Sequence, residues 1–414
     1  MMKRITIISL IFALAVSCVG TIDKDNTAGG HQGAENPGAA NVCVFDFTDT
    51  KKQPVEVTEV VVISEALEEY PLIIKLDKPS SVVQMDLKPK VDRIATYHFL
   101  VTGANGKSYH TAQKFYVPAG RRYEKSIALT KSSQSLLTDK SSWRVSQVRN
   151  GLTWYNLEGY EPLTAAKQVI NVLEMDLDSE SLKLEFLYYP DRAKISEVAN
   201  SDAGLVAITN ASFGSGFTSG SPVDNTYIRV DGVTHREIGL SPDDSNYGKH
   251  ESAVWYDGVS ELGFIDMPGD FEAPIKYYKS TTYPNLFSSV PMLISDFNKV
   301  NLKSYKRKLS TAPGPLTALA VTCDRKLLLI TVDGRWTDKA AGMTYAQLQD
   351  FLRIHFFPKY AINMDGGGST CMYIKGKNVV NYPCEGGAGS GSYKVYPGTF
   401  KERGLVTFFA IREK

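Results

Sequence analysis

The residues with the greatest chemical potential lie together at Asn363-Met364-Asp365-Gly366-Gly367-Gly368-Ser369-Thr370. Three consecutive glycines remove every Cβ beside an acidic residue, so a ligand can approach the main chain closely and backbone N–H groups can point at an anion. A glycine-rich hairpin capped by Asp365 is the structural alternative, but hairpins rarely need three glycines with Asn, Asp and Ser on their flanks. No Gly-Lys-Ser/Thr follows, so this is not a Walker loop. Three companions share its pattern of a strand running into polar residues. Asn210, Ser212 and Phe213 offer an amide, a hydroxyl and a stacking ring, as a sugar would need; Asp333-Gly334-Arg335 places a carboxylate and a guanidinium on one turn; Glu402-Arg403-Gly404 precedes the closing strand and follows Tyr393 and Tyr396.

Each companion alone is a weak signal, since an Asp-Gly turn or a Glu-Arg surface pair is more often structural. Jointly they describe a pocket with Asp365, Glu402 and Asp333 as carboxylates, two arginines and aromatic walls. Such a pocket suits glycosyl transfer to water with an anionic leaving group, one carboxylate attacking the anomeric carbon or activating water while an arginine stabilises the departing phosphate. In this scheme Asp365 works at the anomeric carbon, Glu402 is the second carboxylate, Arg403 and Arg335 hold phosphate, and Asn210, Ser212, Asn363 and Ser369 bind sugar or orient the carboxylates. No cofactor is required; the alternative is Mg2+ or Ca2+ held through oxygen by Asp365, Asp333 and Glu402. The six histidines form no HxxxH or HExxH element and no cysteine pair has CxxC spacing, which argues against structural zinc.

These residues need strands to position them. Leu182, Leu184 and Phe186 alternate with Lys183 and Glu185, Leu205 to Ile208 and Leu327 to Val332 read as buried strands, and Thr344 with Gln347 makes a capping box before the helical face Leu348, Phe351, Leu352 and His355. Residues 143–414 therefore read as an α+β domain with a mixed β-sheet. Before it, β-prone runs recur at about ten-residue spacing near 42–48, 55–63, 71–76, 82–87, 94–101, 108–117 and 122–129, the pattern of an all-β immunoglobulin-like sandwich over 42–130. Its bland reading is a spacer or docking module, with glycan binding as the alternative. Residues 131–142, rich in Ser, Thr, Lys and Gln, form the linker.

The order Ala207-Ile208-Thr209-Asn210-Ala211-Ser212-Phe213, Thr317-Ala318-Leu319, Val332-Asp333-Gly334-Arg335, Gly342-Met343-Thr344, the Asp365 motif, Asn381-Tyr382-Pro383 and Glu402-Arg403 resembles the phosphodiester glycosidase family across residues 165 to 412. The resemblance implies hydrolysis between a sugar's anomeric carbon and a phosphodiester oxygen, and a substrate-binding role for Gly366, Gly367, Gly368 and Asn381 beside the residues above. N-acetylglucosamine-1-phosphodiester is the implied substrate type, as a phosphodiester-linked glycan or a nucleotide-sugar-like molecule. Three positions depart from the family pattern. Ala211 stands where glycine is usual, Leu316 replaces an arginine and so removes one phosphate-binding cation, and Cys384-Glu385-Gly386 replaces Ser-Asp-Gly. Two other classes compete: a metal-dependent phosphodiesterase that cleaves at phosphorus, and a non-catalytic glycan-binding lipoprotein.

Lys3 and Arg4 before the apolar run Ile5 to Val16 read as an export leader over 1–17, and Ala15-Val16-Ser17-Cys18 resembles a lipobox with Cys18 as the lipidated residue. Residues 18–41 are a polar tether. The expected location is the cell envelope, facing the periplasm or exposed on the outer membrane, with the membrane engaged by the lipid alone and a cell-envelope glycan as partner. Forty-six basic against forty-five acidic side chains leave a net charge of +1 and no global field for nucleic acid. Export permits disulfides among Cys43, Cys323, Cys371 and Cys384; a Cys371–Cys384 bridge could close a turn-rich loop, while burial as free thiols is the alternative.

Overall fold

The computed structural model describes residues 6–8, 42–64, 66–68, 71–118, 120–129, 132–133, 143–214, 216–218, 221–223, 225–239, 248–322, 325–336, 339–384 and 401–414. Of the leader and tether only Thr6–Ile8 is described, as an edge strand antiparallel to Leu262–Asp266. Cys18, Cys323, Glu385, Gly386, Tyr393 and Tyr396 lie outside the described residues. Two compact units result: Ile11–Thr138, and Asp139–Lys414 together with Met1–Leu10.

In the first unit, Val42–Thr48 is the centre of a three-stranded sheet between Val82–Asp86 and Tyr123–Ala128, and a five-stranded sheet runs Leu72–Ser80, Val57–Ile63, Ala95–Gly103, Ser108–Phe115, Ser132–Ser133. Alternate residues of both sheets meet in one core: Cys43, Phe45 and Phe47 from one, Val60, Val62, Tyr97 and Phe99 from the other. Phe115 is stacked on Tyr97 at 4.3 Å and on Tyr123 at 5.5 Å.

The second unit holds three large sheets of eight, six and five strands. Their inner faces share one core, in which Leu173, Leu329 and Ile362 of the first, Val254, Phe264 and Phe287 of the second, and Phe186, Phe409 and Ile411 of the third come together. The period of two sends the neighbouring residues outward, and each outer face is covered by a helix. Leu348, Phe351 and Leu352 of Tyr345–His355 pack on Ala318, Leu328 and Ile330; Ile195, Val198 and Ala199 of Ile195–Ser201 pack on Leu205, Ile208 and Phe408; Tyr278 of Glu272–Ser280 packs on Ala253 and Trp255. Thr344 caps its helix as its spacing requires, accepting from the Gln347 N–H at 3.1 Å.

The expected mixed sheet is corrected. Every strand pair of this unit among the described residues is antiparallel, and its three α-helices have 7, 9 and 11 residues, so the unit is mostly β. The reason lies in the connections. Leu152–Glu161 follows Arg144–Arg149 and precedes Ala166–Asp176 across tight turns, which can join only antiparallel neighbours.

Phe409 touches the rings of Phe186 at 4.9 Å and Phe287 at 5.6 Å, so it joins two sheets across the shared core. Phe409→Ala is expected to lower unfolding free energy by about 3–5 kcal/mol in urea titration; a loss within measurement error would contradict this core.

Candidate active site

The glycine motif begins where the chain changes sheets. Tyr360–Asn363 pairs with Leu316–Val321 in the eight-stranded sheet, and Met372–Ile374 pairs with Leu205–Asn210 in the five-stranded one. Residues 364–371 make the crossing, with Gly367–Ser369 forming a single 3-10 turn. A Cβ on Gly366 would lie 2.7 Å from the Pro315 carbonyl oxygen, and Gly367 has φ +63° while its N–H donates to that same oxygen at 2.9 Å. Both positions demand glycine, one for space and one for conformation.

The crossing is stitched by buried polar side chains. Asn210 donates from Nδ2 to the Asp365 carbonyl at 2.6 Å, and its Oδ1 accepts from the Thr317 hydroxyl at 2.9 Å and the Cys371 N–H at 3.0 Å. Ser212 donates to the Ser288 carbonyl at 2.6 Å. Asn363 donates to the carbonyls of Val290 and Met364 at 2.9 and 2.7 Å. Asn381 accepts from the Met372 N–H at 2.8 Å and donates to Asp333 Oδ1 at 2.8 Å and the Thr370 carbonyl at 3.1 Å.

Asp365 lines a cavity of about 600 Å3 together with Gly366, Gly367 and three cations, Lys249, Arg307 and Arg335. Phe213, Tyr345 and the segment Pro313-Gly314-Pro315 complete its walls, and the Lys249 ammonium lies 4.8 Å from the centre of the Phe213 ring. Burial pushes the Asp365 carboxyl above the usual carboxylate range, opposed by a hydrogen bond from Ser369, the charges of Lys249 and Arg403, and the Gly366 N–H. Ser369 in turn accepts from Arg403 at 3.1 Å. A carboxylate of raised basicity facing three cations can take a proton from water while its neighbours hold an anion.

Asp365, Gly366, Gly367 and Arg335 thus meet at the cavity, and Ser369 links Arg403 to Asp365. The expected cluster of three carboxylates is corrected. Glu402 accepts from the Ser196 N–H at 3.0 Å, at the start of Ile195–Ser201, where the exposed N–H groups of a first helical turn attract an anion. Asp333 is buried and accepts from Asn381 and from the Tyr382 N–H at 2.8 Å each, so it fixes the 381–382 backbone. Neither lines the cavity, and among the described residues no three His, Cys, Asp or Glu side chains converge as a metal site. Asn210, Ser212, Asn363 and Asn381 do not line the cavity; they are at most 4% exposed and hydrogen-bond to the backbone around it, while the buried Asn363 Oδ1 has no hydrogen-bond partner. Gly368 is buried within the turn.

Lys249, Arg307 and Tyr345 belong to no motif visible in the sequence. Leu316, where the expected cation is missing, lines the same cavity as Lys249 and Arg307, so the charge returns from elsewhere in the chain. Cys371 and Cys384 are buried free thiols, as is Cys43, and the Cys371–Cys384 bridge is not formed. The backbone of Cys371 is tied to Asn210, whereas the Cys384 sulfur accepts from Arg335 at 3.7 Å.

Gly366→Ala is expected to displace the Asp365 turn and reduce any turnover by at least about tenfold with the fold retained in circular dichroism, since its Cβ meets backbone rather than a movable side chain; unchanged turnover would contradict the turn geometry. Asp333 gives a stability test. Burial raises its carboxyl to about 7, with Asn381 and the Tyr382 N–H pulling it down. The folded state therefore holds the proton more tightly than the unfolded chain, so this group's stabilisation is complete below about pH 4 and lost as pH rises through about 7. The melting temperature should fall more steeply between about pH 4 and 7 in the wild type than in Asp333→Asn; equal slopes would contradict it.

A zebrafish N-acetylglucosamine-1-phosphodiester alpha-N-acetylglucosaminidase catalytic domain, auto-inhibited by its pro-peptide, aligns at 19% identity and TM-score 0.44 over 68% of this chain and 86% of its own. A hypothetical protein from Synechocystis aligns at 12% identity and TM-score 0.42 over 77% and 74%, and an exported protein from Burkholderia pseudomallei at 12% and 0.35 over 60% and 74%. No curated protein matches the chain significantly. The model of the phosphodiester glycosidase family matches residues 203–397, a span that includes Asn210, Lys249, Arg307, Arg335 and Asp365.

Proposed function

We propose that the protein hydrolyses the bond between a sugar's anomeric carbon and a phosphodiester oxygen, with N-acetylglucosamine-1-phosphodiester as the model substrate. The observation that carries this reading is the placement of Asp365, on its glycine turn, in a cavity with Lys249, Arg307 and Arg335. The three cations bind the phosphodiester, and Phe213 and Tyr345 offer faces to the sugar. Asp365 takes a proton from water as the water oxygen bonds to the anomeric carbon. The bond from that carbon to the phosphate oxygen breaks, its electron pair stays on the phosphate, and free sugar and a phosphate monoester result. A phosphate leaving group needs little protonation, so one carboxylate suffices where an alkyl glycoside would require two.

The leader and Cys18 support an exported, lipid-anchored enzyme of the cell envelope acting on a surface glycan or exopolysaccharide. The first unit serves as its spacer. No metal takes part in the step, because the charge that would stabilise the departing phosphate comes from side chains.

Incubation of the full chain with an N-acetylglucosamine-1-phosphodiester should release free sugar at a rate unaffected by EDTA. Asp365→Asn should reduce kcat by about 100-fold or more. Retention of most activity in Asp365→Asn, or release of sugar-1-phosphate, would contradict the proposal.

A further inference from the structure

The cavity around Asp365 has two unlike sides. The Asp365 N–H donates to the Ala211 carbonyl at 2.9 Å, which ties the carboxylate on one side to the segment carrying Phe213, with Lys249 over its ring. On the other side Gly366 and Gly367 press on Pro315, whose carbonyl accepts from the Gly367 N–H at 2.9 Å. From there the lining continues through Pro313, Pro315, Leu316, Ala340, Ala341 and Met343. None of these six side chains carries a hydroxyl, an amide or a charge. Ser310 and Tyr345 hold the uncharged hydroxyl groups described in the whole lining.

This apolar wall is fixed in place by backbone packing. Gly314 and Met343 exchange both backbone hydrogen bonds, at 3.1 and 3.0 Å. A Cβ on Gly334 would lie 2.6 Å from the Pro315 nitrogen, and one on Gly342 2.6 Å from the Gly314 carbonyl carbon, so two glycines pack against the Gly314-Pro315 peptide from either turn. Gly334 precedes Arg335, so the turn that bears this cavity cation is seated on the same peptide. The Arg335 Nη2 is 3.3 Å from where a Cβ on Gly367 would stand, which sets the guanidinium beside the wall and beside the Asp365 turn together. A surface held this way loses little freedom when a ligand covers it.

A phosphodiester joins two alcohols. With the sugar carbon at Asp365 and the phosphate at Arg335, the second alcohol lies along the wall. Hydroxyl groups pressed against it would lose water without gaining partners, whereas a hydrocarbon gains by burial. We infer that this second alcohol is a hydrocarbon, so that the substrate is an alkyl diester of a sugar 1-phosphate and the products are free sugar and an alkyl phosphate. The inference deepens the proposed function and rests on it for the bond that breaks. A surface glycan held to a hydrocarbon anchor through phosphate has this form.

The test gives the full chain three diesters of N-acetylglucosamine 1-phosphate, whose second alcohol is methanol, 1-butanol or the 6-hydroxyl of a methyl glucoside. All three leave as phosphate monoesters of similar acidity, so differences in kcat/KM read contact with the wall. Three further methylenes should raise kcat/KM for the butyl diester by about tenfold or more over the methyl diester, and the glucoside diester should fall below the butyl one. Ala341→Asn, at an exposed position, should erase most of the butyl advantage. Calorimetry with butyl phosphate against methyl phosphate reads the wall without turnover, with butyl phosphate bound more tightly by the wild type and the difference lost in Ala341→Asn. Equal cleavage of the methyl and butyl diesters with equal binding of the two phosphates, or a glucoside diester cleaved as well as the butyl one, would overturn the apolar subsite and leave the glycosidase reading standing. Tighter binding of butyl phosphate with no cleavage of any diester would sink that reading and leave the apolar subsite in place.

Discussion

The site depends on one buried amide. Asn210 ends a strand of the five-stranded sheet, and its single carboxamide holds the Asp365 carbonyl, the Thr317 hydroxyl and the Cys371 N–H. Thr317 belongs to the eight-stranded sheet and Cys371 precedes a strand of the five-stranded one, so the amide joins both sheets at the point where the glycine turn crosses. Buried amide groups are costly unless satisfied, and a satisfied network in low dielectric is correspondingly specific. Ser212 and Asn363 extend the stitching to the segment around Ser288 and Val290, which brings in the six-stranded sheet. The position of the Asp365 backbone is therefore fixed by all three sheets.

From that fixed backbone the electrostatics follow. A carboxylate at a buried turn is expensive to ionise, and the cost is offset by Ser369, the Gly366 N–H and nearby cations. The result is a carboxyl of raised affinity for protons beside cations that can hold an anion. Stability and chemistry separate cleanly among the acidic residues here. Asp333 and Glu402 serve the backbone, at the 381–382 segment and at a helix start, while Asp365 faces the cavity.

Much of this was legible in the sequence, for physical reasons. The seven β-prone runs of the first unit alternate strictly or are punctuated by turns, and strands lie at each of them, as at Val42–Thr48 and Ala95–Gly103. The glycine motif was legible because three glycines in a row beside an acidic residue suit a close approach to the main chain and few structural roles besides. What the sequence could not reveal is the direction in which a polar side chain at a strand end points. Asn210, Asn363 and Asn381 have the composition of sugar ligands, and only the crossing of two sheets turns them inward. Lys249 and Arg307 were invisible for the opposite reason. Arg307 sits in Lys306-Arg307-Lys308, which reads as a solvated basic run, and long-range folding alone brings it to Leu316. The mixed sheet was misread because buried continuous runs such as Leu205–Asn210 are shared by parallel strands and by antiparallel strands covered on both faces.

The central claim is that the bond to carbon, rather than the bond to phosphorus, is the one that breaks. Hydrolysis of a sugar-1-phosphodiester in water enriched in oxygen-18, with both products analysed by mass spectrometry, tests it directly. The account predicts the label on the released sugar and none on the phosphate monoester, whereas label on phosphate would contradict it.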